Sequence, residues 1–333
     1  MKAVIPVAGI GSRLRPHTHT QPKALVPVAG KPILSHIVDP LIEVGIKDFL
    51  FIVGYMGNKV EEFISSYYAE SNVKVDFILQ EPREGTAHAL WLAKEKFRNE
   101  KEVLIALGDT IIDIDLEKLL SSEFSVLGVK KVDIPGNFGI AEINKEGFIE
   151  RLVEKPKIPK SNMALIGIYK ISNPEELAQA VEHIVEAQIK TLGEYQLTDA
   201  LMHMINNGEK MTTLSVDNWF DCGRKESLLE ANAILMSRPE FKSSELDLHK
   251  TILVPPVSIG KNCKISNSII GPNVAIGDNT KISYSIIKNT IVGSFSELQS
   301  AVLHNSIIGS DTTMKGLSHS LNIGDNTEIN FTS

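Results

Sequence analysis

Cysteine is scarce in this chain of 333 residues, which contains only Cys222 and Cys263. Two cysteines so far apart in sequence do not form a disulfide framework and favour a reducing compartment, so we expect a cytoplasmic protein. Long apolar runs are also missing, because none approaches the ~18 residues that a membrane-spanning helix needs. The apolar stretch after Met1 is too brief for a secretory signal peptide.

An excess of basic residues is missing too. The chain has 34 Lys and Arg against 41 Asp and Glu, a formal net charge of −7. This balance disfavours a general nucleic-acid binder, which usually carries a basic face, but it leaves room for a small anionic substrate held by a local cluster of cations. The length predicts two domains.

The first part of the chain alternates strand and helix patterns. Short apolar runs such as KAVIPVA and KDFLFIVGY are typical of buried parallel strands, and helix-like segments separate them. This order predicts an α/β fold with a Rossmann-like, mostly parallel sheet covered by helices. Pro40 should disturb the first helix. From Phe124 onward, hairpin-like strands predict an antiparallel addition to one side of the sheet.

A repeat follows a polar segment that we interpret as a linker at residues 238–250. An apolar residue precedes glycine at intervals of 17, 16, 16 and 15 residues, in Ile259-Gly260, Ile276-Gly277, Val292-Gly293, Ile308-Gly309 and Ile323-Gly324. Aliphatic residues recur every five or six positions between them, and three such steps make one turn of a triangular coil. Residues 251–333 therefore predict a β-solenoid, since a run of hairpins has no reason to keep this register.

Glycine, cations and proline are concentrated in PVAGIGSRLRPHTHTQPKALVPVAGKPIL, residues 6–34. A strand followed by a glycine turn lets backbone amides point at an anion. The dinucleotide fingerprint does not fit, because Leu14 stands where its third glycine belongs. The triphosphatase loop does not fit either, because Gly11-Ser12-Arg13 replaces Gly-Lys-Ser/Thr. The stretch favours a phosphate-bearing ligand near Arg13 and Lys23.

This stretch closely resembles the signature of the sugar-1-phosphate nucleotidyltransferases, also called nucleotide-sugar pyrophosphorylases. The segments QEPREGTAHAL, LIALGD, FGIAEI, VEKP, NMALIGIY and WFDCGR follow in the order typical of that family. Two departures are visible, since one loop glycine is absent and Ser12 replaces the usual threonine. The C-terminal repeat resembles the hexapeptide-repeat left-handed parallel β-helix. The resemblance makes residues 1–237 the nucleotidyltransferase domain.

The resemblance also implies roles for individual residues. The catalytic cations are Arg13 and Lys23, and the magnesium ligands are Asp109 and Asp221. The nucleotide contacts are Ala8, Gly9, Gly11, Ser12, Gln80, Gly85, Thr86 and Gly108. The contacts to the sugar phosphate are Gly139, Glu154, Lys155, Asn162 and Gly167.

The resemblance implies that a phosphate oxygen of a sugar 1-phosphate attacks the α-phosphorus of a nucleoside triphosphate and that pyrophosphate leaves. We expect glucose 1-phosphate as the sugar substrate. The nucleophile is already an anion, so alignment and charge neutralisation suffice. The amide of Gln80 suits the imide edge of uracil or thymine. It does not separate the two, because thymine and uracil differ by one methyl group and the sugars of dTTP and UTP by one hydroxyl group. The short glycine loop favours UTP, whereas the β-helix favours dTTP.

Other interpretations remain open at this point. The β-helix of bifunctional relatives adds acetyl-CoA-dependent acyl transfer, some relatives join GTP to mannose 1-phosphate, and others with eroded motifs only sense nucleotide sugars. Gln80 alone could cap the turn at Glu84, and we interpret His88 as packed or capping rather than catalytic. We expect a homo-oligomer that acts on small molecules, with no nucleic-acid or membrane partner.

Overall fold

The computed structural model describes residues 1–216, 218–244 and 248–316. Packing divides the chain into two compact units, Met1–Ala231 and Asn232–Ser333. The expected boundary at 237/238 and the linker at 238–250 stay predictions. Within the described ranges, no helix has the length and apolar character needed to cross a membrane.

The first unit contains strands and helices in alternation. Its strands are β1 (Lys2–Val7), β2 (Pro27–Val28), β3 (Lys31–Pro32), β4 (Asp48–Val53), β5 (Lys74–Leu79), β6 (Val103–Ala106), β7 (Thr110–Asp113), β8 (Ser125–Lys131), β9 (Gly139–Ile143), β10 (Ile149–Glu154), β11 (Met163–Ile171), β12 (Met211–Ser215) and β13 (Asn218–Asp221). Its helices are α1 (Ile33–Glu43), α2 (Gly57–Tyr67), α3 (Thr86–Ala93), α4 (Leu116–Ser121), α5 (Pro174–Glu186) and α6 (Leu197–Asn206), and α7 (Lys225–Met236) follows across the division between the units.

The central sheet is mixed, with a parallel half that matches the expected Rossmann-like fold. In this half the strands run in the order β6-β1-β4-β5 and all pairs are parallel. β1 and β4 are almost completely buried, which explains why their sequences are nearly uninterrupted apolar runs. The carboxyl ends of these strands lie on one edge, where ligands bind in open α/β sheets.

The other half of the sheet is mainly antiparallel, as the hairpin-like sequence after Phe124 predicted, although β12 pairs parallel with β8. β11 pairs antiparallel with β6, β8 and β9, and β9 forms a hairpin with β10. The NKEG turn of this hairpin is closed by the Asn144 side chain, which accepts hydrogen bonds from the N–H groups of Glu146 and Phe148. This half extends the sheet beside the carboxyl ends of the parallel strands.

The expected disturbance at Pro40 is wrong, because α1 runs through this residue to Glu43. Proline removes one backbone donor from a helix interior. Here the buried apolar side chains of α1, which include Leu34, Val38 and Leu41, offset that loss. The carbonyl of Pro40 still accepts a hydrogen bond from Val44, so the last turn closes normally.

The second unit contains a parallel β-helix, as the repeat predicted. Its strands are β14 (Ile252–Leu253), β15 (Val257–Ile259), β16 (Lys264–Ser266), β17 (Ile269–Ile270), β18 (Val274–Ile276), β19 (Lys281–Ser283), β20 (Ile286–Val292), β21 (Glu297–Gln299), β22 (Val302–Ile308) and β23 (Thr313–Lys315). Strands of successive coils pair in parallel at offsets of one repeat, so that Ile265, Ile282, Leu298 and Met314 form one ladder. Ile323-Gly324 and the end of the predicted domain, residues 317–333, lie outside the described residues.

The core of the β-helix consists of the aliphatic residues predicted from the five- and six-residue steps. Ile276, Ile282, Ile287, Val292 and Leu298 are buried together, and Leu303, Ile308 and Met314 pack against them. Stacked coils bury a continuous core that one coil alone cannot form. The repeating register therefore has a direct physical cause.

Candidate active site

The glycine turn after β1 lines a cavity of about 360 Å³. Gly11 has φ +68°, a left-handed conformation that glycine adopts without strain. A Cβ on Gly11 would lie 2.9 Å from the Cβ of Lys23, so the glycine also leaves space for this lysine. Arg13 follows in the next short turn and lines the same cavity. The turn thus brings both predicted cations to one wall, together with Ala8, Gly9 and Ser12.

A second glycine brings the end of β6 against the end of β1. The N–H of Gly108 donates a hydrogen bond to the carbonyl of Pro6 at 3.0 Å, and a Cβ on Gly108 would overlap the side chain of Val7. Only glycine permits this approach. Asp109 comes next in the chain, so its carboxylate reaches the cavity beside the glycine turn.

Asp221 reaches Asp109 through a strand pair. β13 runs antiparallel to β7, with Asp221 opposite Thr110, and the N–H of Cys222 donates to the carbonyl of Asp109 at 3.3 Å. The two predicted metal ligands are 112 positions apart in sequence, but this pairing makes them neighbours. The convergence that the mechanism requires is therefore present.

The two carboxylates share one ammonium group. Lys23 Nζ lies 2.9 Å from Asp109 Oδ2 and 3.6 Å from Asp221 Oδ1. Arg13 Nη2 lies 3.6 Å from Asp221 Oδ2. The lysine side chain is 8% exposed, whereas 47% of the Asp109 side chain is open to the cavity. The four charged groups form a compact cluster in which the acidic side remains accessible.

This cluster controls the ionisation of Asp109. Removal from bulk water would by itself raise the pKa of this carboxyl. The charge and hydrogen bond of Lys23, the hydroxyl of Thr110 and the charge of Arg13 outweigh that effect and hold the pKa below its ordinary value. Asp109 is therefore an anion at neutral pH, which is the form that a hard cation would need.

Gln80 and Gly85 lie together on another wall of the same cavity. Gln80 is 4% exposed, and its Nε2 donates to the carbonyl of Gly85 at 3.0 Å. Gly85 has φ +111°, and a Cβ there would overlap the backbone of Tyr195. Thr86 begins α3 and its Oγ1 accepts a hydrogen bond from the N–H of Leu197 at 3.0 Å. Gln80 thus closes its own loop, and it also lines the cavity.

A second cavity of about 810 Å³ shares Arg13, Thr86 and Asp109 with the first. Four residues predicted to contact the sugar phosphate line it, namely Gly139, Glu154, Lys155 and Gly167. Asp221 lines it as well. The charged cluster therefore lies where a nucleotide cavity and a sugar-phosphate cavity would meet.

Polar contacts fix the acidic wall of the second cavity. Glu154 Oε2 accepts a hydrogen bond from Thr198 Oγ1 at 2.7 Å, and Glu154 Oε1 lies 3.6 Å from Lys155 Nζ. A Cβ on Gly139 would lie 2.9 Å from Glu154 Oε2. Lys155 has φ +41°, which is uncommon for a residue with a side chain.

Asn162 is not brought to either cavity. Its side chain is exposed just before β11, and its carbonyl accepts a hydrogen bond from Val132 at 3.0 Å. The other sixteen predicted site residues line one or both cavities. The role of Asn162 in sugar binding stays a prediction.

Comparison with known families identifies the family of this chain. The model of the nucleotidyl transferase family matches residues 2–238, a range that contains both cavities. The chain belongs to the nucleotidyl transferase family. It is thus an enzyme of the sugar nucleotidyltransferase family, as its motifs predicted.

Curated relatives in this family have several different names. Low-salt glycan biosynthesis nucleotidyltransferase Agl11 from Haloferax volcanii is 35% identical over 248 residues, covering 73% of this chain and 68% of the relative. Bifunctional protein GlmU from Methanocaldococcus jannaschii is 37% identical over 239 residues, covering 72% of this chain but only 55% of the relative. A glucose-1-phosphate thymidylyltransferase from Streptomyces griseus is 30% identical over 325 residues, covering 96% of this chain and 88% of the relative.

Solved structures support the same fold. A Bacillus anthracis protein assigned as a glucose-1-phosphate thymidylyltransferase has a TM-score of 0.62 and 31% identity, covering 73% of this chain and 98% of that protein. A UDP-glucose pyrophosphorylase complexed with UDP-glucose has a TM-score of 0.61 at 22% identity, covering 71% and 99%. At that identity the second likeness concerns the fold alone.

The donor set fits the divalent ions that members of this family generally use. Magnesium is usually held by one or two carboxylates together with substrate phosphates. Asp109 and Asp221 supply two carboxylates at the junction of the cavities. Among the described residues, no group of three or more His, Cys, Asp and Glu side chains forms a metal cage, so the remaining ligands would come from the substrates.

The motifs imply no role for several residues that line the cavities. Arg83 and Glu194 line the first cavity, and Tyr169, Thr198 and Arg224 line the second. Arg83 and Arg224 lie inside segments that carry the resemblance, so their charge was a usable signal. Thr198 lies outside those segments, and only its contact with Glu154 reveals its position.

Proposed function

We propose that this enzyme joins a pyrimidine nucleoside triphosphate, dTTP or UTP, to a sugar 1-phosphate and releases pyrophosphate. Glucose 1-phosphate is the proposed sugar substrate. The observation that carries the proposal is the cluster of Arg13, Lys23, Asp109 and Asp221 where the two cavities share a wall. Two substrates that occupied these cavities would have their phosphates side by side at that cluster.

Both cavities are lined by cationic side chains that could contact the phosphates of the two substrates. Arg13, Lys23 and Arg83 line the first cavity, and Lys155 and Arg224 line the second. The fork of donors on Arg13 suits the departing pyrophosphate. Lys23 suits the α-phosphate, and Lys155 suits the phosphate of the sugar. Each cation would offset negative charge that the aligned phosphates bring together.

The reaction needs no side-chain base. A sugar phosphate arrives as an anion and attacks without losing a proton, so alignment and electrostatic stabilisation are the main requirements. No histidine is found among the described residues that line the two cavities. Bound through Asp109 and Asp221, magnesium would supply positive charge beside the reacting phosphates.

The preference for a pyrimidine rests on Gln80. Its amide lies in the first cavity with Gly85, and the imide edge of uracil or thymine offers complementary donors and acceptors. The relative from Streptomyces griseus, a glucose-1-phosphate thymidylyltransferase, aligns over nearly the whole chain. This supports glucose 1-phosphate and dTTP, with UTP differing from dTTP by one methyl group and one hydroxyl group.

A substrate matrix tests the proposal. The full-length protein with Mg²⁺ is incubated with dTTP, UTP, CTP, GTP or ATP against glucose 1-phosphate, mannose 1-phosphate and N-acetylglucosamine 1-phosphate, and pyrophosphate is measured. We expect the highest rate with dTTP or UTP and glucose 1-phosphate. Activity confined to GTP with mannose 1-phosphate would contradict the role of Gln80, and no pyrophosphate from any pair would contradict nucleotidyl transfer.

A further inference from the structure

His88 is buried beside the cavity without lining it. It lies in the first turn of α3, is 5% exposed and is absent from the cavity walls. Its ring stacks on Trp91, with centroids 5.6 Å apart, and on Tyr195, with centroids 6.2 Å apart. Two aromatic neighbours therefore hold the plane of the imidazole. Stacking accounts for the burial of an aromatic ring at this position. It does not account for the imidazole nitrogens, because a buried polar group normally has a hydrogen-bond partner.

The imidazole contacts the side chain predicted to bind the base. Gln80 Nε2 lies 3.0 Å from the carbonyl oxygen of Gly85 and 3.3 Å from His88 Nδ1. A carbonyl only accepts hydrogen bonds, so the nitrogen of the amide must face Gly85. The second hydrogen of the same nitrogen then points to Nδ1. His88 is therefore neutral, with Nδ1 as the acceptor and the proton on Nε2.

In this arrangement Gln80 can offer a ligand only a hydrogen-bond acceptor. Both hydrogens of its amide are directed to Gly85 and His88. The oxygen, which only accepts, is what the side chain can offer to the cavity that it lines. The histidine thus acts on the orientation of the amide.

We propose that His88 is a positioning residue that holds the Gln80 amide with its oxygen available to the nucleobase and so selects uracil or thymine over cytosine and adenine. This inference rests on the proposed function. Uracil and thymine present an N3–H donor to such an oxygen. Cytosine N3 and adenine N1 are acceptors and would face it lone pair to lone pair, an unpaired contact that a buried site strongly disfavours. Guanine carries an N1–H donor, so this contact does not exclude it.

Protonation of His88 should disable the arrangement. An Nδ1–H donor needs an acceptor, and the acceptor on the adjacent amide is the oxygen that the base requires. The charged groups that face the ring are Glu84 and Lys190, which pair at 3.2 Å, and the phenol of Tyr195 also packs on it. Burial lowers the pKa of His88 most strongly, Glu84 raises it and Lys190 lowers it, and the result lies below the ordinary histidine value. The neutral form therefore dominates at pH 7.

Two substitutions separate positioning from packing. His88→Phe keeps an aromatic ring between Trp91 and Tyr195 but removes the acceptor. His88→Asn retains an acceptor close to the position of Nδ1 and does not titrate. His203→Phe is the matched control, because His203 is also stacked on a ring, contacts an amide through Asn207 and has a pKa lowered by burial, but it lines neither cavity.

The main readout is the ratio of kcat/KM for the uracil or thymine triphosphate that the wild type uses to kcat/KM for its cytosine counterpart. We expect His88→Phe to lower this ratio about threefold to tenfold, the effect of one hydrogen bond, whereas His88→Asn and His203→Phe keep it. Thermal unfolding of each variant establishes that it is folded. An unchanged ratio in folded His88→Phe would overturn the inference.

The pH profile gives a second readout that does not depend on His88→Phe folding. Substrate phosphates titrate in the same range, so the informative quantity is the difference between the wild type and His88→Asn. We expect the wild type to lose additional kcat/KM at acidic pH and His88→Asn to lack this extra loss. Superimposable profiles would overturn the inference. A wild type that forms pyrophosphate from no triphosphate would instead refute the proposed function.

Discussion

Lys23→Met is the substitution that examines the charged cluster most closely. Methionine keeps much of the length and the apolar stem of the lysine but removes the ammonium that lies 2.9 Å from Asp109 and 3.6 Å from Asp221. Lys31→Met is a matched control in the same segment. Lys31 also has one close aspartate, Asp39 at 2.6 Å, but it lines neither cavity.

The structure predicts similar effects on stability but different effects on catalysis. The Lys31–Asp39 pair is partly exposed, so its loss should cost about 1 kcal/mol or less. Loss of Lys23 leaves Asp109 half open to water, so we expect a cost of about 1–2 kcal/mol rather than the larger penalty of a sealed charge. Removing one charge-stabilising group from an active site lowers turnover by about 10²–10³, or about 3–4 kcal/mol of activation free energy.

The assay is steady-state pyrophosphate release together with urea unfolding of each variant. We expect kcat to fall about 10²–10³ in Lys23→Met and to change less than about threefold in Lys31→Met, while both proteins remain folded. If folded Lys23→Met kept kcat within threefold of the wild type, Lys23 would not stabilise the reacting phosphates, and its contact with the two carboxylates would be structural only.

Three further predictions concern the turn, the thiols and the coils. Gly9 has open space around it and lines the first cavity, so Gly9→Ala should leave the unfolding free energy nearly unchanged but raise KM for the triphosphate; an unchanged KM would contradict a close approach of the nucleotide. Cys222 is fully buried, which raises the pKa of its thiol to about 12, whereas Cys263 is partly exposed, so a thiol reagent at pH 8 should label Cys263 first in the folded chain and both cysteines after denaturation; rapid labelling of Cys222 would contradict its burial. Ile287 is fully buried whereas Ile286 is 48% exposed, so Ile287→Ala should destabilise the β-helix by about 2–5 kcal/mol and Ile286→Ala by little; equal effects would contradict the register.

Much of the fold follows from local patterns in the sequence. The parallel strands are buried on both faces and therefore appear as apolar runs, and the β-helix repeats its inward aliphatic residues at nearly constant spacing. The prediction of a disturbed helix at Pro40 is wrong because the helix propensity of one residue is a local property, whereas the apolar face that holds α1 in place depends on the rest of the fold.

The candidate site was less predictable, because its centre depends on a contact between distant segments. β7 and β13 contain four residues each, too few for a periodic pattern, and their pairing has no local signal. The motifs therefore indicated Asp109 and Asp221 separately but not how they meet. In the same way, the sequence indicated that His88 is packed, but only the distances to Gln80 reveal its orienting contact.

The central claim is that Asp109 and Asp221 act as one unit on the reacting phosphates. The most direct test is a cycle of Asp109→Asn, Asp221→Asn and the double variant, with pyrophosphate release measured over a range of Mg²⁺ concentrations. The effects of substituting residues that act as a unit are not additive. We therefore expect each single variant to lose about 10²–10³ in kcat. The double variant should lose little more than the worse single variant. Full activity in folded Asp221→Asn, or losses that multiply in the double variant, would contradict a shared site.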